Sequence, residues 1–348
     1  MATRRLDLLR SRLDERLLVT NLINIRYLTG FDASNAALLV EPKGTPRLFT
    51  DFRYIESARE VDGVEAQQTK RALLVDLAER LHGRLGFEAD VLPYVQVEAL
   101  RRGGLDLVPT SGQVEALRAV KDADEVATIG RAARAAERAF EALTAETWVG
   151  RSERELAWRL RQLMHAHGVD HPSFDIVIAT GPNGSKPHSE PGEAIVGDQT
   201  LVVADFGARL DGYCSDCTRT LATGKSVPKQ LRRAYDVCLA AELAACEGIR
   251  AGMSGHEADA IARAIIDEAG FGDAFGHGLG HGVGVEIHEA PRLAQESEDV
   301  LEPGNVVTIE PGIYLPGVGG VRIEDLAVVR EDGVELLTSF PKELTLVS

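Results

Sequence analysis

Positive charge, cysteine and long apolar runs are all scarce in this chain, and each scarcity excludes something. The 38 Lys and Arg stand against 54 Asp and Glu, a formal net charge of −16. No basic patch offsets that excess, so neither a nucleic-acid partner nor an anionic membrane surface is expected. No stretch approaches the ~18 consecutive apolar residues of a transmembrane helix. The N-terminal residues start basic, but Asp7, Arg10, Arg12 and Asp14 interrupt any apolar core. The segment reads as an amphipathic helix and not as a secretory signal, so the cytoplasm is the expected compartment. Four cysteines are too few for a disulfide scaffold. Cys214 and Cys217 have the spacing of a redox pair or half a zinc site, yet Cys238 and Cys246 supply no second pair at that spacing. Residues three apart on a strand face opposite ways, so reduced thiols are expected.

What is present fits a globular protein: 348 residues, 44% hydrophobic and 26% charged. That length allows two domains of about 100–200 residues each. Residues 1–112 alternate strand and helix signals. Leu17–Thr20, Ala36–Val40, Arg47–Thr50 and Arg84–Phe87 read as strands, and Tyr54–Val61 and Ala72–Leu81 as helices. This is the pattern of a small α/β domain. It holds one histidine, His82, read as a helix-surface residue, and no catalytic cluster. Near residue 112 the pattern changes to a long helical stretch through Val114, Leu117, Val120, Val126, Ile129 and Phe140, with a charged break at Lys121–Glu125. A second helix is expected from Ser152 to His167, where Ser152 and Glu155 have capping-box spacing. Residues 113–348 then turn strand-rich, with a strand at Phe174–Ala179 and helices near 228–249 and 255–269. The whole is expected to be α+β.

The most unusual stretch is His277-Gly-Leu-Gly-His281-Gly-Val-Gly-Val-Glu-Ile-His288-Glu289. Glycine at alternate positions lets a backbone pass close to something bulky or charged. From His281 onward the pattern alternates, with Val283, Val285 and Ile287 on one strand face. His281 falls on that face and His288 on the other, unless the strand twists or bulges. The two histidines therefore have different jobs.

Two hairpins supply acids. One carries Asp205 outgoing and Asp216 returning; the other carries Glu310 outgoing and Glu324 returning. Each acid sits in an apolar strand, where an ionised carboxylate is costly unless paired or bound to a cation. Any one of them could pair with Arg219 or Arg322. Four in two hairpins, joined by His281, favour metal: four negative charges match two divalent ions. Carboxylate oxygens with one imidazole suit Mn²⁺, Co²⁺, Fe²⁺ or Zn²⁺ and not a thiolate site. A carboxylate-bridged pair of metals about 3.5–4 Å apart activates water and clamps a tetrahedral intermediate. That leaves His188 and His288 to donate hydrogen bonds to substrate.

The stretch from His277 through Arg292 resembles the signature of the proline-directed metallopeptidases with the pita-bread fold, Xaa-Pro dipeptidase (prolidase) and Xaa-Pro aminopeptidase. The likeness continues through Asp205-Phe-Gly, Gly212-Tyr-Cys-Ser-Asp216-Cys-Thr-Arg-Thr, Ile309-Glu-Pro-Gly and Gly320-Val-Arg-Ile-Glu-Asp. It covers most of residues 113–348, and residues 1–112 resemble the creatinase-type N-terminal domain more weakly. The resemblance implies hydrolysis of Xaa-Pro bonds in small peptides with proline second, by a homodimer holding two divalent ions, Mn²⁺ first among them. It implies that Asp205 chelates one ion, that His281 and Glu310 chelate the other, and that Asp216 and Glu324 bridge both. Glu310 would also carry the proton from water to the leaving nitrogen, while His188 and His288 stabilise the substrate carbonyl and the intermediate. His277 marks the proline-directed branch against methionine aminopeptidases. Phe174 matches a residue of the proline pocket and equally fits plain core. Arg292 matches a position that meets a dipeptide's C-terminal carboxylate, which favours the dipeptidase over the aminopeptidase. Arg322 stands with the substrate-binding group, though it suits holding the site's carboxylates better. Cys217 departs from the family, which has an apolar residue there. A non-catalytic binding protein on this fold would have lost metal ligands, and all five stand here.

Overall fold

The computed structural model describes residues 2–348 and divides into two compact units, one ending at Arg118 and the other spanning Ala119–Ser348. In the first unit six strands form one mixed sheet, in spatial order Glu65–Gln68, Arg47–Thr50, Ala36–Val40, Leu17–Val19, Gly83–Glu88 and Leu105–Thr110. Side-chain alternation splits the central strand between two cores. Leu17 and Val19 join Leu6, Leu9, Ile25 and Leu28 on one face, and Leu18 joins Leu73, Leu77 and Leu100 on the other. Residues 25–28 lie in a helix, Leu22–Thr29. Asn21 caps it by accepting from the Ile23 N–H, and Gly30 ends it in the left-handed region at φ 75°.

In the second unit the charged run at Lys121–Glu125 starts a helix, after the break that follows the short helix Glu115–Arg118. Asp122 and Glu125 form a capping box at the head of Ala123–Thr144. Ser152 and Glu155 form the expected one at the head of Glu153–Ala166. These two helices pack Ala136, Phe140, Leu156 and Leu160 onto Val202, Ala204 and Phe206 of a four-stranded sheet, Leu346–Val347, Cys217–Thr223, Leu201–Phe206 and Val177–Thr180. A second helix pair, Lys229–Gly248 and Gly255–Glu268, covers a five-stranded sheet, Glu289–Leu293, Gly280–Gly282, Val306–Ile309, Asp325–Arg330 and Gly333–Leu336. Its contact face is built largely from Ala234, Ala241, Ala258 and Ala262, whose small side chains let helix and sheet approach closely. The four cysteines are free thiols.

Two expectations change. The strand foreseen at Phe174–Ala179 starts only at Val177, leaving Phe174 outside it. The long alternating strand from His281 is three residues, Gly280–Gly282, with a register shift between His281 and Gly282 and then a bend before the strand Glu289–Leu293. Val283 and Val285 are nonetheless buried, so the apolar alternation reflects a packed bend and not a strand face.

Candidate active site

The strand Cys217–Thr223 runs between the acids. Thr218 pairs with Asp205 across one edge and bridges to Glu324 on the other, so one threonine sets the spacing of two carboxylates. Its hydroxyl donates to Glu324 Oε2 at 2.7 Å and accepts from Arg322 Nε at 3.1 Å. Asp216 occupies the irregular step between the strands Tyr213–Cys214 and Cys217–Thr223. Carboxylate oxygens of Asp205, Asp216 and Glu324 come within 4.8 Å of one another. His281 reaches the same cluster from the five-stranded sheet. Its Nε2 lies 3.3 Å from Glu310 Oε1 and 3.8 Å from Asp216 Oδ2. His281 Nδ1 faces the Gly282 carbonyl at 3.1 Å. A carbonyl only accepts, so Nδ1 carries the proton and Nε2 is the atom turned to the acids. Glu310 follows the strand Val306–Ile309 directly and accepts from the Thr308 hydroxyl at 3.1 Å.

The glycines have a structural reason. A Cβ on Gly280 would run into the Thr308 carbonyl, and one on Gly278 would stand 2.6 Å from the Leu293 carbonyl oxygen. The thing they approach closely is neighbouring strand backbone. That approach brings His281 down beside Glu310.

Electrostatically the acids of the cluster outnumber the one guanidinium that reaches them, Arg322. Among the described residues, Asp205 Oδ1, Asp216 Oδ1 and Glu324 Oε1 are buried with no hydrogen-bond partner. Burial pushes all three carboxyls above their usual range. Repulsion from neighbouring carboxylates adds to this at Asp216 and Glu324, whereas the Arg322 guanidinium offsets it at Asp205. Burial opposes ionisation at Glu310 as well, but the adjoining His281 ring outweighs it and holds that carboxyl at about 2. Burial pushes His281 down, and the contact with Glu310 more than reverses the shift. Buried acids with unpartnered oxygens, hard donors and one imidazole match what divalent Mn, Co, Zn or Fe requires.

The remaining expected residues distribute around this cluster. The His288 ring meets the His281 ring edge to face at 4.3 Å. His188 is exposed just after the turn Gly181–Ser185, and it lies near enough to His277 and His288 to depress both electrostatically, after burial. His277 is half-buried. Its Nδ1 donates to the Gly278 carbonyl, so its Nε2 accepts from the Tyr314 hydroxyl at 2.9 Å. Arg322 is buried and its guanidinium is fully engaged. Nη2 donates to Asp205 at 2.6 Å and Nη1 to Tyr314 at 2.8 Å, so Arg322 holds the site's carboxylates and is not free to grip substrate. Phe174 belongs to none of the core clusters and lies against Gly207, where a Cβ would be 2.9 Å from its ring. Arg292 is exposed on the strand Glu289–Leu293, directly across from His281, with no ion pair at its guanidinium among the described residues.

Sequence reasoning missed the supporting residues: Thr218, Thr308, Tyr314, and the pair Asp259–Arg263. That pair lies on the helix Gly255–Glu268 with 2.6 Å between Arg263 Nε and Asp259 Oδ2. Asp259 accepts from the Leu279 N–H, and Arg263 donates to the carbonyls of Phe275 and His277, clamping the entry to the histidine stretch. The four-residue spacing of Asp259 and Arg263 was a readable signal; nothing local marked Tyr314.

Residues 5–120 match the creatinase/prolidase N-terminal domain, and residues 127–331 match metallopeptidase family M24. The chain is 35% identical over 332 residues to a Xaa-Pro dipeptidase of Pyrococcus furiosus, covering 95% of each. Its fold superposes on a Xaa-Pro dipeptidase structure from Bacillus anthracis with a TM-score of 0.96 at 40% identity, covering 100% of both chains. It is similar also to an X-Pro aminopeptidase structure from Thermotoga maritima, with a TM-score of 0.87, 30% identity and coverage of 96% of this chain and 97% of that one. The expected α+β fold, a creatinase-type N-terminal domain preceding a pita-bread domain, stands on these matches. The chain belongs to metallopeptidase family M24.

Proposed function

We propose that the protein hydrolyses the Xaa-Pro bond of dipeptides, using two divalent ions held by Asp205, Asp216, His281, Glu310 and Glu324. The observation that carries this reading is the set of three buried carboxylate oxygens without partners, one each on Asp205, Asp216 and Glu324, beside the inward-facing His281 Nε2. Asp205 would hold one ion and His281 with Glu310 the other, with Asp216 and Glu324 shared between the two. Mn²⁺ is the first choice and Co²⁺, Zn²⁺ or Fe²⁺ the others. When bound, the ions supply Lewis acidity, polarising the scissile carbonyl and acidifying water.

The protein's own groups do the rest. Glu310 accepts a proton from the attacking water and delivers it to the proline nitrogen as that nitrogen leaves. His188 and His288 donate hydrogen bonds to the carbonyl oxygen as it becomes an oxyanion. Phe174 lines the proline ring, and the free guanidinium of Arg292 meets the C-terminal carboxylate of a dipeptide. A bond before proline is a tertiary amide with no N–H, so a site that grips carbonyl and carboxylate accepts what backbone-reading proteases refuse. Two of the similar proteins carry the name Xaa-Pro dipeptidase, which supports the dipeptidase over the aminopeptidase. With Mn²⁺, an Xaa-Pro dipeptide should be cleaved faster than an Xaa-Pro-Yaa tripeptide, and EDTA should abolish both. Activity that survives chelation, or survives Asp216→Ala, would overturn the metal mechanism; a faster tripeptide would overturn the dipeptidase.

A further inference from the structure

The bend that carries His288 is organised around a buried carboxylate. Glu289 folds back inside it, and its Oε1 accepts from the Glu286 N–H at 3.0 Å. A Cβ on Gly284 would stand 2.5 Å from Oε2, so glycine there makes room for the acid. Gly284 N–H donates to the Glu286 carbonyl at 3.0 Å, and the Gly284 carbonyl accepts from Cys214 N–H at 2.8 Å. The bend is thus a small hydrogen-bonded turn wrapped on one side chain. Lys121 Nζ meets Glu289 Oε2 at 3.1 Å, with side-chain exposures of 1% and 5%. Lys121 is itself anchored. Its backbone N–H donates to the Gly304 carbonyl at 2.9 Å, and its ammonium also reaches the Ala119 carbonyl at 3.3 Å.

A buried ion pair whose partners are both pinned acts as a fixed strut. Removing Lys121 takes away one of the contacts that fix the buried Glu289 carboxylate, and the turn wrapped on that carboxylate loosens. The neighbouring residue of that segment is His288. We propose that Lys121 is a positioning residue: acting through Glu289, it holds the 284–288 bend and thereby the direction of the His288 ring. The catalytic part of this inference rests on the reading of His288 as a substrate-facing group; the structural part does not.

Lys121→Met tests it, with Lys121→Arg as the conservative rescue. The Met variant should lose on the order of 10–100-fold in kcat on an Xaa-Pro dipeptide, the scale typical of residues that orient an inner set of groups. Its KM and the number of Mn²⁺ ions bound by calorimetry should stay unchanged, and Arg should restore most of kcat. In a His288→Ala background, Lys121→Met should add less than about two-fold. Amide hydrogen exchange across 284–288 should quicken in the Met variant, a readout independent of any peptidase activity. If the wild type cleaves no Xaa-Pro peptide, the proposed function fails while the exchange experiment still decides the strut. Should Lys121→Met not fold, Lys121→Met/Glu289→Gln removes both charges of the pair together; it should fold and still show faster exchange at the bend. Wild-type kcat together with wild-type exchange, in either variant, would overturn the proposal, and so would full additivity with His288→Ala.

Discussion

The rings of His281 and His288 meet edge to face, with centroids 4.3 Å apart and planes at 66°. They stand seven positions apart, and on a regular strand that odd spacing would send them to opposite faces. The register shift after His281 and the bend through residues 284–288 turn the second ring back over the first. His281 faces the acids while His288 remains exposed beside them.

His288→Ala should therefore separate chemistry from metal binding. A group that donates to a developing oxyanion contributes about 10²–10³-fold to kcat, and its loss should fall in that range. Calorimetric titration with Mn²⁺ should give the wild-type stoichiometry. Loss of an ion together with activity would place His288 among the ligands instead.

Asp216→Asn should have opposite effects on the metal-free and metal-loaded protein. Without metal, Asp216 is a buried acid beside Glu324 and Asp205, and neutralising it relieves repulsion. The metal-free variant should melt higher than the metal-free wild type, by several degrees for a gain of about 1 kcal/mol. Mn²⁺ should raise the Tm of the wild type but not of the variant. Scanning calorimetry with and without EDTA checks both arms.

Tyr314→Phe should weaken the site without touching a carboxylate. The hydroxyl accepts from Arg322 and donates to His277, and burial pushes its own pKa up to about 12, keeping it a donor. Its removal leaves His277 Nε2 without its donor and Arg322 Nη1 with only the Pro187 carbonyl at 3.3 Å. A cost of about 1–3 kcal/mol is expected for these buried groups, read as a lower urea midpoint at unchanged m-value. A midpoint equal to that of the wild type would show that water replaces the hydroxyl.

A second buried acid gives a pH dependence. Burial, and then repulsion from Asp325, raise Glu242 from 4.5 to about 7, with Cys246 and Lys342 only partly offsetting this. The folded state thus holds a proton that the unfolded chain releases near its ordinary value. The stabilisation is complete below about pH 4.5 and is lost as pH rises through 7. Glu242→Gln keeps the neutral form at every pH. It should flatten stability across that window and stabilise the protein at pH 8 by on the order of 1–3 kcal/mol. Urea unfolding at pH 5 and pH 8 measures it, and an equal effect at both pH values would sink the assignment.

Local pattern determined a good deal. The four acids were legible because each lies within or beside an apolar strand where a lone charge is costly, although only Asp205 is inside one, and His281 because glycines bracket it. The capping box at Ser152 and Glu155 was legible because its partners are three residues apart and interact within one helical turn. Tertiary structure decided the rest. Arg322 could be read as a substrate ligand until its guanidinium was found occupied by Asp205, 117 positions away in sequence, and by the hydroxyl of Tyr314. Lys121 and Glu289 stand 168 positions apart, so neither residue announces the other. The aim of His288 depended on a register shift, and a shift of one residue reverses every side chain beyond it. Sequence pattern specifies which residues must be buried and which chemistry they carry; only packing between distant segments specifies where a buried charge finds its partner and which way a ring points.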